Sequence, residues 1–413
     1  MLLASHILKL ECVLCGSSYT PGSVNYTCPN CGPQGTLLVH YDYDQIRWNY
    51  HAESRDPSIR RYRPFLPIPY GNRLPPLIVG GTPLYPAERL RKHLNMRNLW
   101  LKDETRNPSG SYSDRAAFVA ASLALPEERR LICASTGNSA LALSLQAAAV
   151  GLSCQLLLPW RSARKLAGTL QLCGAKVFAV DGSYDDAFEL SVEATGKFGW
   201  YNVNIGYNPY MVEGLKTVGL EIAEQLGHAV PDAILIPVAD GGLISGIYRG
   251  FEDLRQLGVV RQIPRLIAVQ TEGAPAFVRA LENEAMRQPE AVAPTTQIES
   301  LAVGQPHNGA MALRHVRQSG GFGITVSEEA LRAARKELAT LTGIFVEPAG
   351  AASYAALRQL LEEDKIKRHE MVVLLATASG QRDGEAIEQR EAEPVTLARG
   401  AEGLQSLELQ VSA

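Results

Sequence analysis

Two closely spaced cysteine pairs are the first groups in the chain able to do chemistry. Cys12-Val-Leu-Cys15-Gly and Cys28-Pro-Asn-Cys31-Gly form a C-x2-C-x12-C-x2-C pattern. Each C-x-x-C-G turn aims two thiolates at one point, and the glycine after it lets the backbone curl beneath a metal. Cys12, Cys15, Cys28 and Cys31 together offer the four soft ligands of a tetrahedral zinc site. A redox C-x-x-C motif comes singly and starts a helix, whereas these pairs sit in strand- and turn-like sequence. A site closed by four thiolates is structural and takes no part in catalysis. Further along, Ala134-Ser-Thr-Gly-Asn-Ser139 and Pro237-Val-Ala-Asp-Gly-Gly-Leu-Ile-Ser245-Gly each lead from an apolar run through a glycine turn into a helical pattern. Amides at such a helix start bind anions: a carboxylate suits the first turn. A phosphate suits the second, where Gly241 and Gly242 permit close backbone approach. Taken singly, each is also an ordinary helix cap.

The elements that must hold these turns follow from periodicity. Between about Asn98 and Thr377, short apolar runs alternate with amphipathic stretches: RRLICAS, SCQLLLP, AKVFAVD, WYNVNI, DAILIPV, RLIAVQ and MVVLLAT. Helical period marks Asn138–Val150, Ala163–Cys173, Val212–Leu226 and Glu328–Leu341, with Gly151, Gly174, Gly227 and Gly343 as closing residues. This alternation is the pattern of βαβ units on a parallel sheet. The expected division is a module over residues 1–45, a large domain from 46–118 and 212–390, a smaller α/β domain over 119–211, and a polar tail, 391–413.

Composition narrows the partners. A net charge of −3 over 413 residues gives no reason to expect a nucleic acid or an anionic membrane. The start, MLLASHILKLECVLC, lacks a basic region and a cleavage site, and no apolar run is long enough to span a bilayer. Seven cysteines, four of them in paired clusters, point to metal ligation in a reducing compartment, hence the cytoplasm.

The string Leu101-Lys-Asp-Glu-Thr-Arg-Asn-Pro-Ser-Gly-Ser-Tyr-Ser-Asp-Arg115 resembles the K-x-E-x-x-N-P-T-G-S-F-K-D-R stretch of threonine synthases. Ala376-Thr377-Ala-Ser-Gly-Gln-Arg-Asp383 is similar to that family's L-T-G-H-G-x-K-D turn, and 175–187, 208–217 and 343–352 are similar to further segments in the same order. The resemblance runs from about Cys12 to Asp383. It implies a pyridoxal phosphate (PLP) enzyme of fold type II: two doubly wound parallel-sheet domains plus a zinc-ribbon-like module. It also implies elimination and replacement on an amino acid such as O-phosphohomoserine, with phosphate released. By resemblance, Asn138 contacts the cofactor's ring hydroxyl and the Ala239-Asp240-Gly241-Gly242-Leu243 turn its phosphate. Thr377 (or Ser379) meets the ring nitrogen, and Ser135, Thr136 and Ser139 face the substrate. A homodimer is expected.

The chain departs from the family's pattern at Ser113, at Ala239 and Asp240 (usually glycine and asparagine), and at Met211, with Ile205-Gly206 in place of an upstream serine. Ser113 stands where the family has its Schiff-base lysine. A hydroxyl can form no imine and cannot take over the lysine's acid–base role. Either a lysine was replaced in an otherwise complete site, or the protein does without one. Lys216, in E-G-L-K-T, matches a different family lysine and is no substitute. Asp240 puts a carboxylate in the expected phosphate cradle. Met211 replaces an arginine that helps hold the substrate's phosphate, which leaves Lys102, or else Arg106 or Lys165, to supply the charge. The reading is a PLP-dependent lyase of threonine synthase type, inactive or severely impaired by Ser113. The alternatives are a cysteate synthase, a hydroxy-amino-acid dehydratase, or a non-catalytic relative that binds PLP or amino acids.

Overall fold

The computed structural model describes residues 2–46 and 56–382; Asp383 and the polar tail, including 391–413, lie outside them. Three strands come first: β1 (Ile7–Cys12), β2 (Ser18–Tyr19) and β3 (Leu37–Tyr41), antiparallel in the order β2-β1-β3. Next are β4 (Leu84–Pro86), α1 (Glu88–Leu94), β5 (Asn98–Asp103) and α2 (Ser113–Ala124). A run of alternating elements follows: β6 (Leu131–Ala134), α3 (Asn138–Val150), β7 (Cys154–Pro159), α4 (Trp160–Leu172), β8 (Lys176–Val180), α5 (Tyr184–Phe198) and β9 (Tyr201–Asn202). The chain continues through α6 (Pro209–Leu215), α7 (Thr217–Gln225), β10 (Ala233–Pro237), α8 (Gly242–Gln256), β11 (Arg265–Thr271) and α9 (Ala276–Glu282). It ends with α10 (Gly309–Gln318), β12 (Phe322–Val326), α11 (Glu328–Thr342), α12 (Ala352–Glu362) and β13 (Met371–Ala376).

Two sheets carry the α/β part. One has four parallel strands in the order β8-β7-β6-β9. The other has six, β12-β11-β10-β13-β5-β4, all parallel except the edge strand β4. Each of the seven apolar runs read from the sequence contains a strand, and the four closing glycines all take a positive φ. Two helices differ from their expected spans by more than one residue. Val212–Leu226 is two helices, α6 and α7, meeting at Lys216. The break lies where α8 presses closest: a Cβ on Gly250 would sit 2.3 Å from the Lys216 carbonyl oxygen. Helix α4 begins at Trp160 and not at Ala163, because its first turn follows Pro159 directly.

Helix α2 is the structural centre. All of its residues are buried, a placement that its many alanines permit without overfilling the core. Phe118, Val119 and Leu123 anchor it, each adding roughly 1.5–3 kcal/mol of burial. Helix α6 crosses α2 at Gly214, where a Cβ would lie 2.3 Å from the Arg115 carbonyl oxygen. That close crossing brings Met211 of α6 and Ser113 of α2 to one small cavity.

Candidate active site

The ends of parallel strands and the helix starts beyond them enclose a cleft of about 120 Å3. Ser113, Asn138, the Ala239–Leu243 turn and Thr377 line it, together with Ser135, Thr136 and Ser139. Backbone bonds explain why stretches so far apart in sequence meet. Tyr112 N–H donates to the Thr377 carbonyl (3.1 Å), Ser379 N–H to Gly110 (2.8 Å) and Glu347 N–H to Ala378 (3.0 Å). The first loop, the last loop and the segment around Glu347 are thus laced edge to edge.

At the first helix start, the Ser135 hydroxyl accepts from the amides of Gly137 (2.9 Å) and Ala140 (3.1 Å) and fixes the turn before α3. Ser139, in the first turn of α3, donates its hydroxyl to Ser113 across 3.4 Å. Asn138 donates through Nδ2 to both carboxylate oxygens of Glu347, each at 3.0 Å. At the second helix start, Gly241 adopts φ +94°, open to glycine, and α8 begins at the next residue. The first amides of any α-helix lack intrahelical partners, so this turn presents donors to the cleft.

The Asp240 carboxylate accepts from the His307 amide at 2.6 Å, and its other oxygen would stand 2.6 Å from a Cβ on Gly206. The His307 loop and the bare face of Gly206 therefore accommodate it. Burial raises the Asp240 pKa above its ordinary carboxylate value. Burial also pushes the Cys133 thiol, on the cleft wall, up to about 12, which keeps it protonated at neutral pH.

Thr377 bears directly on whether PLP fits. The residue is 3 % exposed, and its buried hydroxyl has no hydrogen-bond partner among the described residues. Such a buried orphan is costly unless a ligand satisfies it. An open hydroxyl and a helix-start anion cradle in one cleft suit a ring nitrogen and a phosphate. The fit is to a non-covalently held cofactor, because Ser113 offers no amine. Ser379 does not line the cleft and accepts from the Gln381 amide.

Lys102 is corrected. It lines no part of the cleft; its ammonium is fully buried and donates to the Thr82 carbonyl (2.7 Å), Glu221 (2.7 Å) and Gln225 (2.9 Å). A cation in the interior must be paired, and Glu221, shared with Arg115, is its partner. Arg106 pairs with Asp103 and Lys165 with Glu299, the two cations largely exposed. Lys216 also lies outside the cleft, bonded to Glu213 (2.6 Å) and Asp253 (2.8 Å). Glu347, Tyr112, Tyr184 and the 300–303 loop line the cleft without having been singled out. For Glu347 a signal existed, since its segment already matched the family.

In the N-terminal module the four cysteine sulfurs lie within 4.8 Å of one another, with Cys15 and Cys28 at 3.7 Å. A zinc–thiolate tetrahedron with ~2.3 Å arms has edges of about 3.8 Å. The cluster can hold a metal ion. Bonds from Ser17 lower the Cys15 thiol to about 6, whereas burial raises that of Cys12.

Cleft and fold together define the class: the chain belongs to the pyridoxal-phosphate-dependent enzyme family, whose sequence profile matches residues 76–378. Within it the chain is threonine synthase-like. It is 38% identical to the threonine synthase of Methanosarcina acetivorans over 92% of this chain and 93% of that one. It is 36% identical to the threonine synthase of Methanocaldococcus jannaschii over 94% and 96%. Among solved structures, a threonine deaminase from T.th. superposes with a TM-score of 0.59 at 26% identity, over 76% of this chain and 94% of that one. Maize serine racemase, at 20% identity and a TM-score of 0.61, covers 80% and 93% and shares the fold.

Proposed function

We propose that the cleft holds PLP without a covalent link and that this chain is a PLP-dependent lyase of threonine synthase type whose turnover is severely limited by Ser113. The observation that carries the reading is the unpartnered Thr377 hydroxyl, in the same cleft as the helix-start cradle at Gly241 and Gly242 and the Asn138 amide. When bound, the cofactor supplies an electron sink that labilises an amino acid's α-proton and a side-chain leaving group. The chain's own residues do the rest. The Gly241–Leu243 amides would hold the phosphate, Thr377 the ring nitrogen and Asn138 the ring hydroxyl. The α3 start, with Ser135, Thr136 and Ser139, would orient the substrate carboxylate. Ser113 cannot anchor the cofactor by an imine, and its hydroxyl is a far weaker base than a lysine amine for taking an α-proton.

Restoring lysine with S113K should raise turnover of an accepted amino acid by at least ~10²-fold, the lower end for an acid–base group. Equal rates for the two forms would show that position 113 does not carry the chemistry. A non-catalytic binding relative is the second reading, favoured by the Ser139–Ser113 hydrogen bond, which gives the serine a settled place in the wall. We further propose that the Cys12, Cys15, Cys28 and Cys31 cluster holds structural zinc. A reducing, cytoplasmic location fits seven cysteines that are all free of disulfides. No described helix is long and apolar enough to cross a membrane.

A further inference from the structure

We infer that the cleft takes an amino acid with a short, uncharged side chain and disfavours a phosphate ester, with Met211 as the specificity-determining residue. The inference rests on the reading of the cleft as a PLP and amino-acid site and names the substrate class within it.

Three observations carry it. The first is the supply of anion sites. Four helix starts line the cleft, those of α2, α3, α5 and α8. The first α2 amides bond Ser111 and the α5 start is closed by the Ser183–Asp186 capping box, which leaves those of α3 and α8 open to an anion. An amino acid on PLP brings a carboxylate and the cofactor brings a phosphate, so both starts are taken. A second phosphate would need a third site.

The second is charge. Among the described residues, no lysine, arginine or histidine lines the cleft, while two carboxylates, Asp240 and Glu347, do. The nearby buried cations are committed elsewhere. Arg115 bonds Glu104 and Glu221, Lys102 bonds Glu221, and Lys216 bonds Glu213 and Asp253. Asp240 is turned into the His307 loop, but away from the α8 start a second dianion faces the Glu347 carboxylate and finds no lysine or arginine fork to compensate.

The third is shape. Next to Ser113 the wall opens into a side cavity of about 20 Å3. Ser113, Cys133, Ser139, Val203 and Ile205 line both it and the main cleft, and Met211 lines it from α6. Its wall is otherwise alanine and leucine, and Met211 is fully buried. The space is on the order of one water molecule or methyl group. A hydroxyl reaching Ser113 or Ser139, or a terminal methyl against Met211, matches it. A tetrahedral phosphate matches neither its size nor its lining.

The deciding measurement uses the unmodified chain saturated with PLP. Calorimetric titrations with L-threonine, L-homoserine, L-2-aminobutyrate and O-phospho-L-homoserine are compared at one pH and ionic strength. At least one neutral amino acid should bind tenfold or more tighter than O-phospho-L-homoserine. In M211R the gap should narrow by at least tenfold. Because an arginine at a fully buried position strains the fold, the ranking on the unmodified chain decides the matter. O-phospho-L-homoserine binding as tightly as the best neutral ligand, or no neutral amino acid binding at all, would overturn the inference. The underlying reading fails differently: S113K that binds PLP yet turns over none of these amino acids would remove the lyase and leave the affinity ranking intact.

Discussion

At position 113 the serine hydroxyl accepts from Ser139 at 3.4 Å and borders the side cavity. What the cleft leaves open is Thr377. Replacing it with valine removes the orphan hydroxyl while keeping its shape. T377V should therefore bind PLP about fivefold more weakly, the equivalent of ~1 kcal/mol for one hydrogen bond, with thermal stability unchanged or slightly raised. Equilibrium titration of PLP fluorescence checks this, and unchanged affinity would place the ring nitrogen elsewhere. Asn138 and Thr377 were singled out through the family resemblance, since each string alone reads as an ordinary helix cap or strand-end turn; the structure brings both to one cleft with the glycine turn. Lys102 was misread for a physical reason. A lysine beside a substrate loop looks like a ligand for anions, and nothing local shows that Glu221, 119 residues away, has paired with it. Asp240 posed the opposite problem, since only the fold shows that the His307 amide receives its carboxylate.

Between elements, the loop before α2 is held by a buried ionic network. Arg115 of α2 bonds Glu104 and, through both terminal nitrogens, Glu221 of α7; Lys102 of β5 adds a third tie. Burial alone would raise the Glu221 pKa, but Arg115 and Lys102 outweigh it and hold the group below its ordinary 4.5. A carboxylate depressed in the folded state binds protons more readily when unfolded. Its contribution is therefore present at neutral pH and is lost as pH falls below its unfolded value. E221Q should cost roughly 3–5 kcal/mol at pH 7, because it leaves the buried Lys102 without its carboxylate and Arg115 with Glu104 alone. It should also flatten the decline in stability between about pH 5 and pH 3, as read from urea denaturation at each pH. A parallel acid decline in variant and parent would show that the network does not set it. Seven strands of the two larger sheets and most helices were readable from period and closing glycines, whereas β4 and β12 were not among the apolar runs. β5 was not among the apolar runs, because Lys102 and Asp103 interrupt it while lying fully buried. Nor was the α6–α7 break, which the approach of Gly250 imposes from outside the segment.

Across the molecule, the cysteine module is bound to the helices that carry the cleft. Tyr41 donates to Glu213 (2.8 Å), Tyr43 to Asp253 (2.7 Å) and Arg249 of α8 to the Val39 carbonyl (2.6 Å). Protein purified without chelator should carry about one zinc per chain. Its removal should lower the Tm by several degrees, because metal-binding energy is folding energy. Metal analysis and calorimetry with and without chelator read this out, and a zinc-free protein of unchanged Tm would rule out a structural metal. The central claim is that this cleft binds PLP and that position 113 alone decides whether the bond is covalent. It is tested most directly by saturating the unmodified chain and S113K with PLP, reducing both with borohydride, and mapping the adducts by peptide mass spectrometry. The expected result is a stoichiometric adduct at position 113 in S113K, and in the unmodified chain PLP that dialyses away with no stoichiometric adduct. A stoichiometric adduct on Lys102, Lys216 or another lysine of the unmodified chain would contradict it.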